Sequence, residues 1–423
     1  MKTIATPYQP EIIVAGGGTA GSAAAVAAAR RGHKVLLIEE GNCLGGVSTA
    51  GGVNGFYANL KGLGNIFTRL LTELKNFDAI QGHYFTGEYL KLVWQILADE
   101  AGVDILFHTS VVDAETEAGG LTRVRTVSAS QFMEIKAQYF IDASGEGDLA
   151  FLAGAGYQLG HPENGRTLHM SLTAMFHDTG KLREAYLPPG FAPIHDTEDL
   201  PGLHGPVRLP DNRLYANMTK VMGHNPTDPV SLSQAEQEAR RQLVRIAYYV
   251  QKLHPTYALA SSGQKIGIRE GRRIVGDYTL TQDDISGADS KDFPDGVAVA
   301  TCQIDFHSLT RPGHVGWRQK VHPYAIPLRT MIPKGLKNLL VAGKPISGDQ
   351  VAMSSYRMTP TVCAMGQAAG TAAALAVETG LDDIRHLDIA TLREQLAQDG
   401  MELDPHKHKS FAPEVTPKPE DAA

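Results

Sequence analysis

Charged side chains suited to holding a small polar molecule are concentrated in the second half of this sequence of 423 residues. Arg269, Glu270, Arg272 and Arg273 form the most charged cluster, inside an apolar and glycine-flanked passage. An arginine guanidinium suits a carboxylate or a polyhydroxylated ligand because it offers several N–H donors in one plane. The same residues would also fit a structural ion-pair network around Glu270 and Asp277, and both interpretations stay open.

Three further residues are candidates for proton transfer and for orienting a substrate. His322 could take a proton from a hydroxyl group while a hydride leaves the adjacent carbon, and Tyr324 follows two positions later. A purely structural histidine is the alternative for His322. Arg357 immediately precedes a predicted helix and is the best single candidate for orienting a substrate. Asp305 and His307 have an alternating spacing that could bind a metal, but no third ligand accompanies them, so no metal site is predicted.

These candidates need a scaffold, and residues 11–40 predict its first unit, which is a strand, a turn, a helix and a second strand. Gly16, Gly18 and Gly21 have the G-x-G-x-x-G spacing that is typical of dinucleotide binding. Gly16 would allow a tight turn, and Gly18 would let the backbone approach a pyrophosphate. Gly21 would let the helix pack closely on the strand.

The ends of this unit carry groups that would hold the rest of a dinucleotide. The unpaired N–H groups at the start of the helix, at Thr19 and Ala20, would bind the phosphates. Glu39 follows the second strand, residues 33–38, at the place where an acid is expected to accept both ribose hydroxyls. Glu40 stands beside it and is a candidate for the same role.

The glycine-rich stretch after Glu40 suits close approach of the backbone to a ligand, with a flexible surface loop as the alternative. Gly45 and Gly46 would pass beside the pyrophosphate, and Ser48 and Thr49 could donate their hydroxyl groups to it. Farther along the chain, Val111 lies in extended, β-branched sequence and could contact an adenine through its backbone.

Two later segments repeat the pattern of a buried strand followed by small residues. Residues 139–142 form an apolar strand that ends in Asp142, and Asp148 would cap the next helix at its N-terminus. Residues 339–342 form another such strand, which ends at Gly343. Residues 358–377 then predict a helix of small residues that permits tight packing.

Together these motifs resemble the FAD-dependent oxidoreductase family of the glutathione-reductase-like flavoprotein superfamily. They are distantly similar to the succinate dehydrogenase and fumarate reductase flavoproteins. The resemblance is carried by the glycine unit with Glu39, the Gly45–Gly46 doublet and the Asp142 to Asp148 motif, and by two later stretches, residues 267–278 and 338–374. It extends from residue 11 to about residue 380.

The resemblance implies FAD as the cofactor and an α/β fold, with a three-layer, Rossmann-like domain built on a mostly parallel sheet. Asp349 would accept a hydrogen bond from a ribityl hydroxyl. The N-terminus of the 358–377 helix, at Met358 and Thr361, would face the N1–C2=O edge of the flavin and stabilise its reduced anion. The remaining residues implied to bind FAD are Ala143, Ser144, Gly145, Asp148 and Gly343.

The same layout predicts the division of the chain. Residues 11–160 and 335–385 would form the two parts of the FAD-binding domain. Residues 161–334 would be an inserted mixed α+β domain that covers the flavin and binds the substrate. It would contain one long helix at residues 231–253, capped by Ser233 and by Glu236 in a capping box. Residues 386–423 would form a C-terminal helix and a disordered tail.

Composition limits the partners. The net charge is −7 and the basic residues are scattered, which argues against nucleic acid. Three cysteines far apart do not indicate a disulfide framework. We find neither a signal peptide nor a stretch apolar enough for long enough to span a bilayer, so we expect a cytoplasmic protein that does not bind membranes. A homo-oligomer stays open.

The expected function is the transfer of a hydride between a small hydroxylated or carboxylated metabolite and flavin. No second G-x-G-x-x-G unit follows the first, so electrons should pass to or from the substrate and an external donor or acceptor. The alternatives are a flavin-dependent isomerase or hydratase without net redox change, a nucleic-acid-modifying flavoprotein, and a flavin-binding sensor without catalysis.

Overall fold

The computed structural model describes residues 2–202, 205–313 and 316–412. Within these ranges the helices are α1 (Thr19–Arg30), α2 (Asn65–Asn76), α3 (Gly87–Ala101), α4 (Asp148–Leu152), α5 (Pro229–Leu253), α6 (Gln282–Ile285), α7 (Gln350–Tyr356), α8 (Thr359–Glu378) and α9 (Ile389–Gln398). The strands are β1 (Lys2–Ile4), β2 (Ile12–Ala15), β3 (Val35–Ile38), β4 (Ile80–Gln81), β5 (Tyr84–Phe85), β6 (Asp104–Leu106), β7 (Ser110–Glu117), β8 (Gly120–Ser128), β9 (Gln131–Lys136), β10 (Tyr139–Asp142), β11 (Tyr157–Gln158), β12 (Met170–Ser171), β13 (Ala174–Asp178), β14 (Val207–Arg208), β15 (Leu214–Ala216), β16 (Tyr257–Ser262), β17 (Gly267–Ile268), β18 (Arg273–Ile274), β19 (Gly296–Ala300), β20 (Ile304–His307), β21 (Gly316–Gln319), β22 (Tyr324–Pro327) and β23 (Leu339–Val341).

Five parallel strands form the central sheet, in the order β23-β10-β2-β3-β6. Tyr139 of β10 lies opposite Ile12 of β2, which in turn lies opposite Val35 of β3. Every residue of these three strands is buried, which accounts for their apolar sequence up to Asp142, the last residue of β10. Because β23 pairs with β10, the C-terminal segment completes the sheet begun by the N-terminal one. The mixed α/β fold with a parallel sheet is therefore confirmed.

Helices α1 and α8 pack against each other with their backbones in close approach. A Cβ atom at Gly366 would lie 2.1 Å from the carbonyl oxygen of Ala20, and one at Gly370 would lie 2.1 Å from that of Ala24. Helix α8 is also long and apolar enough to cross a membrane by length and composition, so the expectation that no stretch of the sequence meets this criterion is wrong. Since 89% of its most apolar window is buried inside the fold, packing against the core accounts for its composition.

An antiparallel meander of β7, β8 and β9 lies beside the central sheet, with β1 added in parallel at its edge. Strands β7 to β9 lie in the chain between β6 and β10, two strands of the parallel sheet. Val111 lies in β7, where it faces Thr126 of β8. The meander thus extends the sheet region toward the predicted adenine end.

A second hydrophobic core, here called the cap unit, runs from Met170 to Ile266. It contains the antiparallel sheet β14-β15-β13-β16 and the buried face of α5. Side chains from Ile274 to Ile332 instead belong to the first core, together with the parallel sheet. The packing therefore assigns only the first part of the predicted 161–334 insertion to a separate core, and the domain boundaries remain a prediction.

Two helix starts differ from the sequence prediction. Helix α5 is capped by Asp228, whose carboxylate accepts the N–H of Ser231 at 2.7 Å. Pro229 occupies the first turn, where its fixed φ favours helix initiation, so the predicted Ser233 cap is wrong. Helix α4 is capped by Gly147, at φ +68°. Asp148 is therefore its first helical residue and not its cap.

Candidate active site

The glycine turn after β2 is shaped by two contacts that leave no room for a side chain. Gly16 has φ +96°, and a Cβ atom there would lie 2.4 Å from the carbonyl oxygen of Ala143. A Cβ atom at Gly21 would lie 1.8 Å from the carbonyl oxygen of Gly16. The two glycines thus let the turn and helix α1 close tightly against the end of β10.

Gly18 differs from these two because its Cα faces open space. It caps α1 in an extended conformation, and a Cβ atom there would have its nearest neighbour, the carbonyl oxygen of Ala143, at 4.0 Å. The Gly45–Gly46 segment crosses directly beside it, since the N–H of Gly45 donates to Gly17 at 2.8 Å. Thr19 Oγ1 donates to the carbonyl oxygen of Gly45 at 3.1 Å. Backbone N–H groups at the start of α1 therefore face a groove bounded by glycines.

Glu39 lies at the carboxyl end of β3, against the same turn. One carboxylate oxygen accepts the N–H of Gly17 at 2.6 Å, and the other accepts the N–H of Gly41 at 2.6 Å. Its neighbour Glu40 points away and forms an ion pair with Lys265 of the cap unit. Of the two acids, Glu39 has the position suited to ribose hydroxyls, and Glu40 joins the two cores.

The loop after β3 reaches the start of helix α8. Ser48 is buried and its hydroxyl donates to Oγ1 of Thr359, the first residue of α8, at 3.3 Å. The hydroxyl of Thr49 donates to the carbonyl oxygen of Leu44 at 2.6 Å, so it is engaged within its own loop. Met358 caps α8 without a side-chain hydrogen bond. Thr361 is fully buried, and its Oγ1 has no partner within the described part of the chain.

The segment after β10 is held by its own side chains. Ser144 donates to Asp142 at 2.7 Å and accepts the N–H of Asp148 at 2.8 Å. Gly145 has φ +87° with open space where a Cβ would stand. Ser144 is thus occupied in shaping the turn, whereas Gly145 leaves its surface accessible.

Two residues of the C-terminal segment have different surroundings. Gly343, at φ +98°, ends β23, and its Cβ position lies 3.3 Å from the Cβ of Ala20 at the start of α1. The carboxylate of Asp349 caps α7 by accepting the N–H of Ala352 at 2.7 Å, and it also accepts that of Gln282 at 2.6 Å. A contact between Asp349 and a ribityl hydroxyl would have to share these oxygens.

These features fit one elongated dinucleotide. A glycine groove lies at the N-terminus of α1, and an acid ends the adjacent strand. The N-terminus of a second long helix lies across the loop from them, with the unpaired Thr361 hydroxyl in its first turn. The residues present therefore suit FAD, with the phosphates near Gly18 and the flavin near the start of α8.

A second polar group of side chains lies where the cap unit meets α7. Arg269 follows β17 and donates to the hydroxyl of Ser171 at 2.6 Å and to the carbonyl oxygen of His169 at 3.4 Å. Arg357, at the end of α7, donates to the carbonyl oxygens of Arg269 and Asp305, both at 3.3 Å. The two predicted arginines thus lie close together. Arg357 immediately precedes Met358, the cap of α8.

Asp305 and His307 on β20 complete this group. The carboxylate of Asp305 lies 3.0 Å from His307 Nε2, 3.2 Å from Arg318 Nε and 3.6 Å from a terminal nitrogen of Arg357. The ring of His307 meets the ring of His169 edge to face, with centroids 4.6 Å apart. Asp305 and His307 therefore pair with each other and with arginines, which is not the arrangement of metal ligands.

Burial and positive charge dominate the electrostatics of this group. Burial lowers the pKa of Arg269 to about 10, and the neighbouring Arg357 acts in the same direction. Burial lowers the pKa of His307 to about 4, against the opposing effect of Asp305. For Asp305 burial alone would raise the pKa, but His307, Arg357 and Arg318 hold it well below its usual range. One carboxylate is thus shared by several cations.

Several buried polar atoms around Arg269 have no hydrogen-bond partner among the residues that the structure describes. They are His169 Nδ1 and Arg357 Nε, together with Tyr215 Oη and Asn217 Oδ1, whose side chains lie against each other. Tyr215 is 2% exposed and His169 is 4% exposed. Because buried polar groups are normally paired, such a concentration indicates a place where a polar ligand binds.

The rest of the predicted charged cluster is structural. Glu270 is fully buried, accepts the N–H groups of Gly160 at 3.1 Å and Leu168 at 2.7 Å, and pairs with Arg273. Arg272 lies 4.2 Å from the ring centroid of Phe151. The members of the cluster therefore differ in role. Arg269 faces the candidate site, and Glu270, Arg272 and Arg273 make contacts that stabilise the fold.

His322 and Tyr324 are not brought to the site. His322 lies in an exposed position beside Val321, so it cannot reach a buried substrate. Tyr324 is fully buried, and its hydroxyl donates to Ser355 at 2.8 Å, which satisfies it within the core. Burial raises the pKa of Tyr324 well above its usual range. Neither side chain has the surroundings expected of a proton-transfer group.

Sequence reasoning missed His169, Ser171 and Tyr215. Their only local signal is a position in or beside short strand-like runs that carry polar residues. What makes them part of the site is antiparallel pairing with a segment about a hundred residues away, since Ser171 and the Arg269 side chain are separated by 98 positions. No pattern within either segment reports that pairing.

The comparison with family models identifies the type of protein. The model of the family described as FAD dependent oxidoreductase matches residues 11–396. No curated protein matches the sequence. Solved structures that resemble it include a geranylgeranyl bacteriochlorophyll reductase-like protein from Thermoplasma acidophilum, at 12% identity over 96% of this chain and 94% of that one, with a TM-score of 0.46.

Two further similar structures are a brominase and a hydroxylase. The flavin-dependent brominase Bmp2 is 12% identical, with 92% of this chain and 83% of that one covered and a TM-score of 0.46. The OxyS anhydrotetracycline hydroxylase from Streptomyces rimosus is 12% identical, with 94% and 70% covered and a TM-score of 0.46. At such low identity, the substrate and reaction of this chain stay open.

Proposed function

Since this chain belongs to the FAD-dependent oxidoreductase family, we propose that it transfers a hydride between a small carboxylate-bearing metabolite and its FAD. The observation that carries this proposal is the partly buried pair Arg269 and Arg357, of which Arg357 immediately precedes the cap of α8. Asp305 partly compensates Arg357, and no carboxylate of the described chain forms an ion pair with Arg269. An anionic substrate would complete the charge balance.

The chain offers a continuous series of contacts for the cofactor. The start of α1 at Gly18, Thr19 and Ala20 would bind the pyrophosphate, and Glu39 would exchange its bonds to Gly17 and Gly41 for bonds to ribose hydroxyls. The N-terminus of α8, with its unpaired N–H groups, would face the flavin and stabilise negative charge on it. Bound FAD would supply the two-electron chemistry that no side chain provides.

The finer assignment of the fold is part of the same proposal. The order of the parallel sheet and the return of the C-terminal segment to β10 support membership of the glutathione-reductase-like superfamily, with a distant relation to succinate dehydrogenase and fumarate reductase flavoproteins. The cap unit would cover the flavin and exclude water. The residue before β13, Thr173, contacts the glycine loop by donating to the carbonyl oxygen of Gly51 at 2.8 Å.

The substrate would bind between the cap unit and α7. Arg269 and Arg357 would hold its carboxylate, and Tyr215 and Asn217 would offer polar contacts to the rest of the molecule. Only one G-x-G-x-x-G unit is present, so a separate electron donor or acceptor would complete turnover. We place this activity in the cytoplasm, with a small molecule and not nucleic acid or membrane as the partner.

Spectroscopy tests the proposal directly. The purified protein should be yellow, and anaerobic addition of a carboxylic acid from a panel of hydroxy acids, amino acids and saturated diacids should bleach the flavin. Arg269→Ala and Arg357→Ala should each retain FAD and weaken the response by at least about tenfold, as expected for a lost charged hydrogen bond. Arg241→Ala, an exposed arginine on α5, is the control and should leave the response unchanged.

Other outcomes would contradict it. If neutral sugars bleach the flavin and carboxylates do not, the arginine pair is not a carboxylate site. If an added acid is converted without any bleaching, the flavin serves an isomerase or hydratase reaction without net redox change.

A further inference from the structure

His169 stands opposite Arg269 at the edge of the cap unit. Strands β12 and β17 are antiparallel, with Met170 facing Ile268, so the next pair in the same register is His169 and Arg269. The side chain of Arg269 reaches back to the backbone carbonyl of His169 at 3.4 Å. His169 is 4% exposed, and its Nδ1 is unpaired within the described ranges. A buried imidazole nitrogen thus stands free beside the arginine pair.

The orientation of the His169 ring is fixed by its neighbours. Its ring packs edge to face on His307 at 4.6 Å between centroids. His307 in turn is held by the carboxylate of Asp305 at 3.0 Å, and Asp305 is anchored by Arg318. His307 and Asp305 are therefore positioning residues that hold the imidazole of His169 in place.

The titratable groups that act on His169 are Arg269, His307, Lys220 and Arg357, with the Asp305 carboxylate beyond them against His307 and Arg357. Arg269 faces it from β17, His307 from β20, Arg357 from the end of α7 and Lys220 from the segment after β15. Burial, followed by these four groups, lowers the pKa of His169 well below its usual range. The ring is therefore neutral near pH 7 with an unprotonated nitrogen, and a bound substrate carboxylate would offset the positive charge that disfavours its protonation.

The same charges select the group that His169 would meet. An ammonium group beside two arginines and Lys220 would be repelled, whereas a neutral hydroxyl would not. A hydroxyl donor also suits the unpaired Nδ1, and Asn217 Oδ1 offers a second acceptor nearby. A terminal nitrogen of Arg269 lies 3.4 Å from the backbone oxygen of His169, so a carboxylate on the arginines would leave a hydroxyl on the adjacent carbon close to the His169 ring.

From this geometry we propose that His169 is a catalytic residue that exchanges a proton with the substrate hydroxyl, and that the substrate is a 2-hydroxy acid. This inference rests on the function proposed above. In the oxidative direction, His169 Nδ1 would accept the O–H proton, and bound FAD would supply the two-electron oxidation by taking the hydride of the α-carbon. The substrate loses two electrons, its C–O bond becomes a carbonyl, and a 2-oxo acid leaves.

The first test is the binding preference of the wild-type holoenzyme. With the flavin reduced under anaerobic conditions, a hydroxy acid cannot react, so affinity is measured at equilibrium by calorimetry. The probes are paired acids with and without the hydroxyl: glycolate and acetate, D- or L-lactate and propionate, and L-malate and succinate. We expect the hydroxy acid of at least one pair to bind about tenfold more tightly. Equal affinity in all pairs would overturn the inference.

The second test replaces the imidazole. His169→Gln should bind propionate within about threefold of wild type, lose the preference for the hydroxy acid, and reduce its flavin about 10²–10⁴-fold more slowly. His177→Gln, an exposed histidine on β13, should behave as wild type. His307→Gln should slow reduction less than His169→Gln and leave the hydroxyl preference intact. Wild-type reduction rates in His169→Gln would overturn the catalytic role, and the binding test on the unaltered protein stands even if this variant misfolds.

The outcomes separate the two proposals. If amino acids or saturated diacids bleach the flavin and hydroxy acids do not, the carboxylate site survives and the hydroxy-acid inference fails. If no carboxylate binds or bleaches, the proposed function itself fails.

Discussion

The three glycines of the turn after β2 look equivalent in the sequence but are constrained differently. A side chain at Gly16 or Gly21 would meet backbone atoms at 2.4 Å or 1.8 Å, so both are required by the fold itself. Gly18 has an ordinary backbone conformation, and its Cβ direction is open to 4.0 Å. A requirement for glycine at Gly18 must therefore come from a ligand.

This difference gives a prediction that separates folding from cofactor binding. Gly18→Ala should fold with a free energy of unfolding of the apoprotein within about 0.5 kcal/mol of wild type. Its affinity for FAD should fall at least about tenfold, because the new methyl group occupies the face that the pyrophosphate approaches. Urea unfolding and fluorescence titration with FAD would measure the two quantities. Gly21→Ala is the contrasting variant and should fail at the folding step, whereas equal FAD affinity in Gly18→Ala would remove this part of the site.

The buried histidine His307 links the site to the pH dependence of stability. Its pKa is lowered from 6.5 to about 4 by burial, with Arg269 and Arg357 adding to the effect. In the unfolded chain the imidazole binds a proton as the pH falls below 6.5, and in the folded protein it does so only near 4. The folded state therefore loses stability as the pH falls through this window.

We expect the free energy of unfolding to decrease between pH 7 and pH 4.5 more steeply in wild type than in His307→Gln. Each proton bound only by the unfolded chain contributes a slope of up to about 1.4 kcal/mol per pH unit. Glutamine can still donate to Asp305 but does not titrate, so the slope should fall by part of that amount. Urea unfolding at a series of pH values tests this, with His177→Gln as the exposed control. Parallel profiles for wild type and His307→Gln would contradict the assignment.

At the scale of elements, the packing of α1 on α8 determines where the cofactor can lie. Helix α1 follows β2 in the chain, and α8 follows β23 and α7. Their close approach at Gly366 and Gly370 draws the start of α8 toward the glycine turn. Gly343 lies beside the start of α1 for the same reason.

A methyl group at this contact should be costly. Gly370→Ala would place its Cβ 2.1 Å from the backbone oxygen of Ala24, so the helices must separate. We expect a loss of about 2–4 kcal/mol in the free energy of unfolding, although alanine favours a helix. Gly32→Ala is the matched control. Its Cβ atom would meet nothing within 4 Å, so the expected loss is only the strain of an alanine at φ +91°, about 1 kcal/mol. A Gly370→Ala variant as stable as Gly32→Ala would show that the helices can separate freely.

At the scale of the whole molecule, the site is assembled from both cores. The cap unit contacts the glycine loop through Thr173 and Gly51, and through the N–H of Gln264, which donates to Ala50 at 2.9 Å. Arg269 contributes a backbone carbonyl to Arg357 of the first core. A cofactor bound along the glycine groove would therefore touch segments that are far apart in the chain.

Removal of FAD should lower the free energy of unfolding by an amount that grows with the logarithm of the free FAD concentration relative to its dissociation constant. At free FAD of 100 times its dissociation constant, binding adds about 2.7 kcal/mol to the free energy of unfolding. The apoprotein should accordingly unfold at lower urea concentration and lower temperature than the holoprotein. FMN, which lacks the adenosine half that Glu39 would hold, should not restore the difference. Identical transitions with and without FAD would refute the cofactor site.

The sequence by itself determined the elements and the cofactor. The apolar runs of β2, β3, β10 and β23, and the glycine spacing between β2 and α1, follow from local steric and burial rules that a short segment expresses alone. They were sufficient to predict the parallel sheet and a dinucleotide, and the resemblance to a flavoprotein family implied that the dinucleotide is FAD. Helix starts were less certain because several nearby residues can cap a helix, and Asp228 with Pro229 prevailed over Ser233.

Only the tertiary structure decided which polar residues face the substrate. Arg269 and Glu270 are adjacent in sequence, yet one faces the site and the other is neutralised in the core by Arg273. His169 joins the site through pairing with a segment 100 positions away, whereas His322 is left exposed. The surroundings of a side chain depend on long-range packing of the whole chain, and a local pattern does not carry that information.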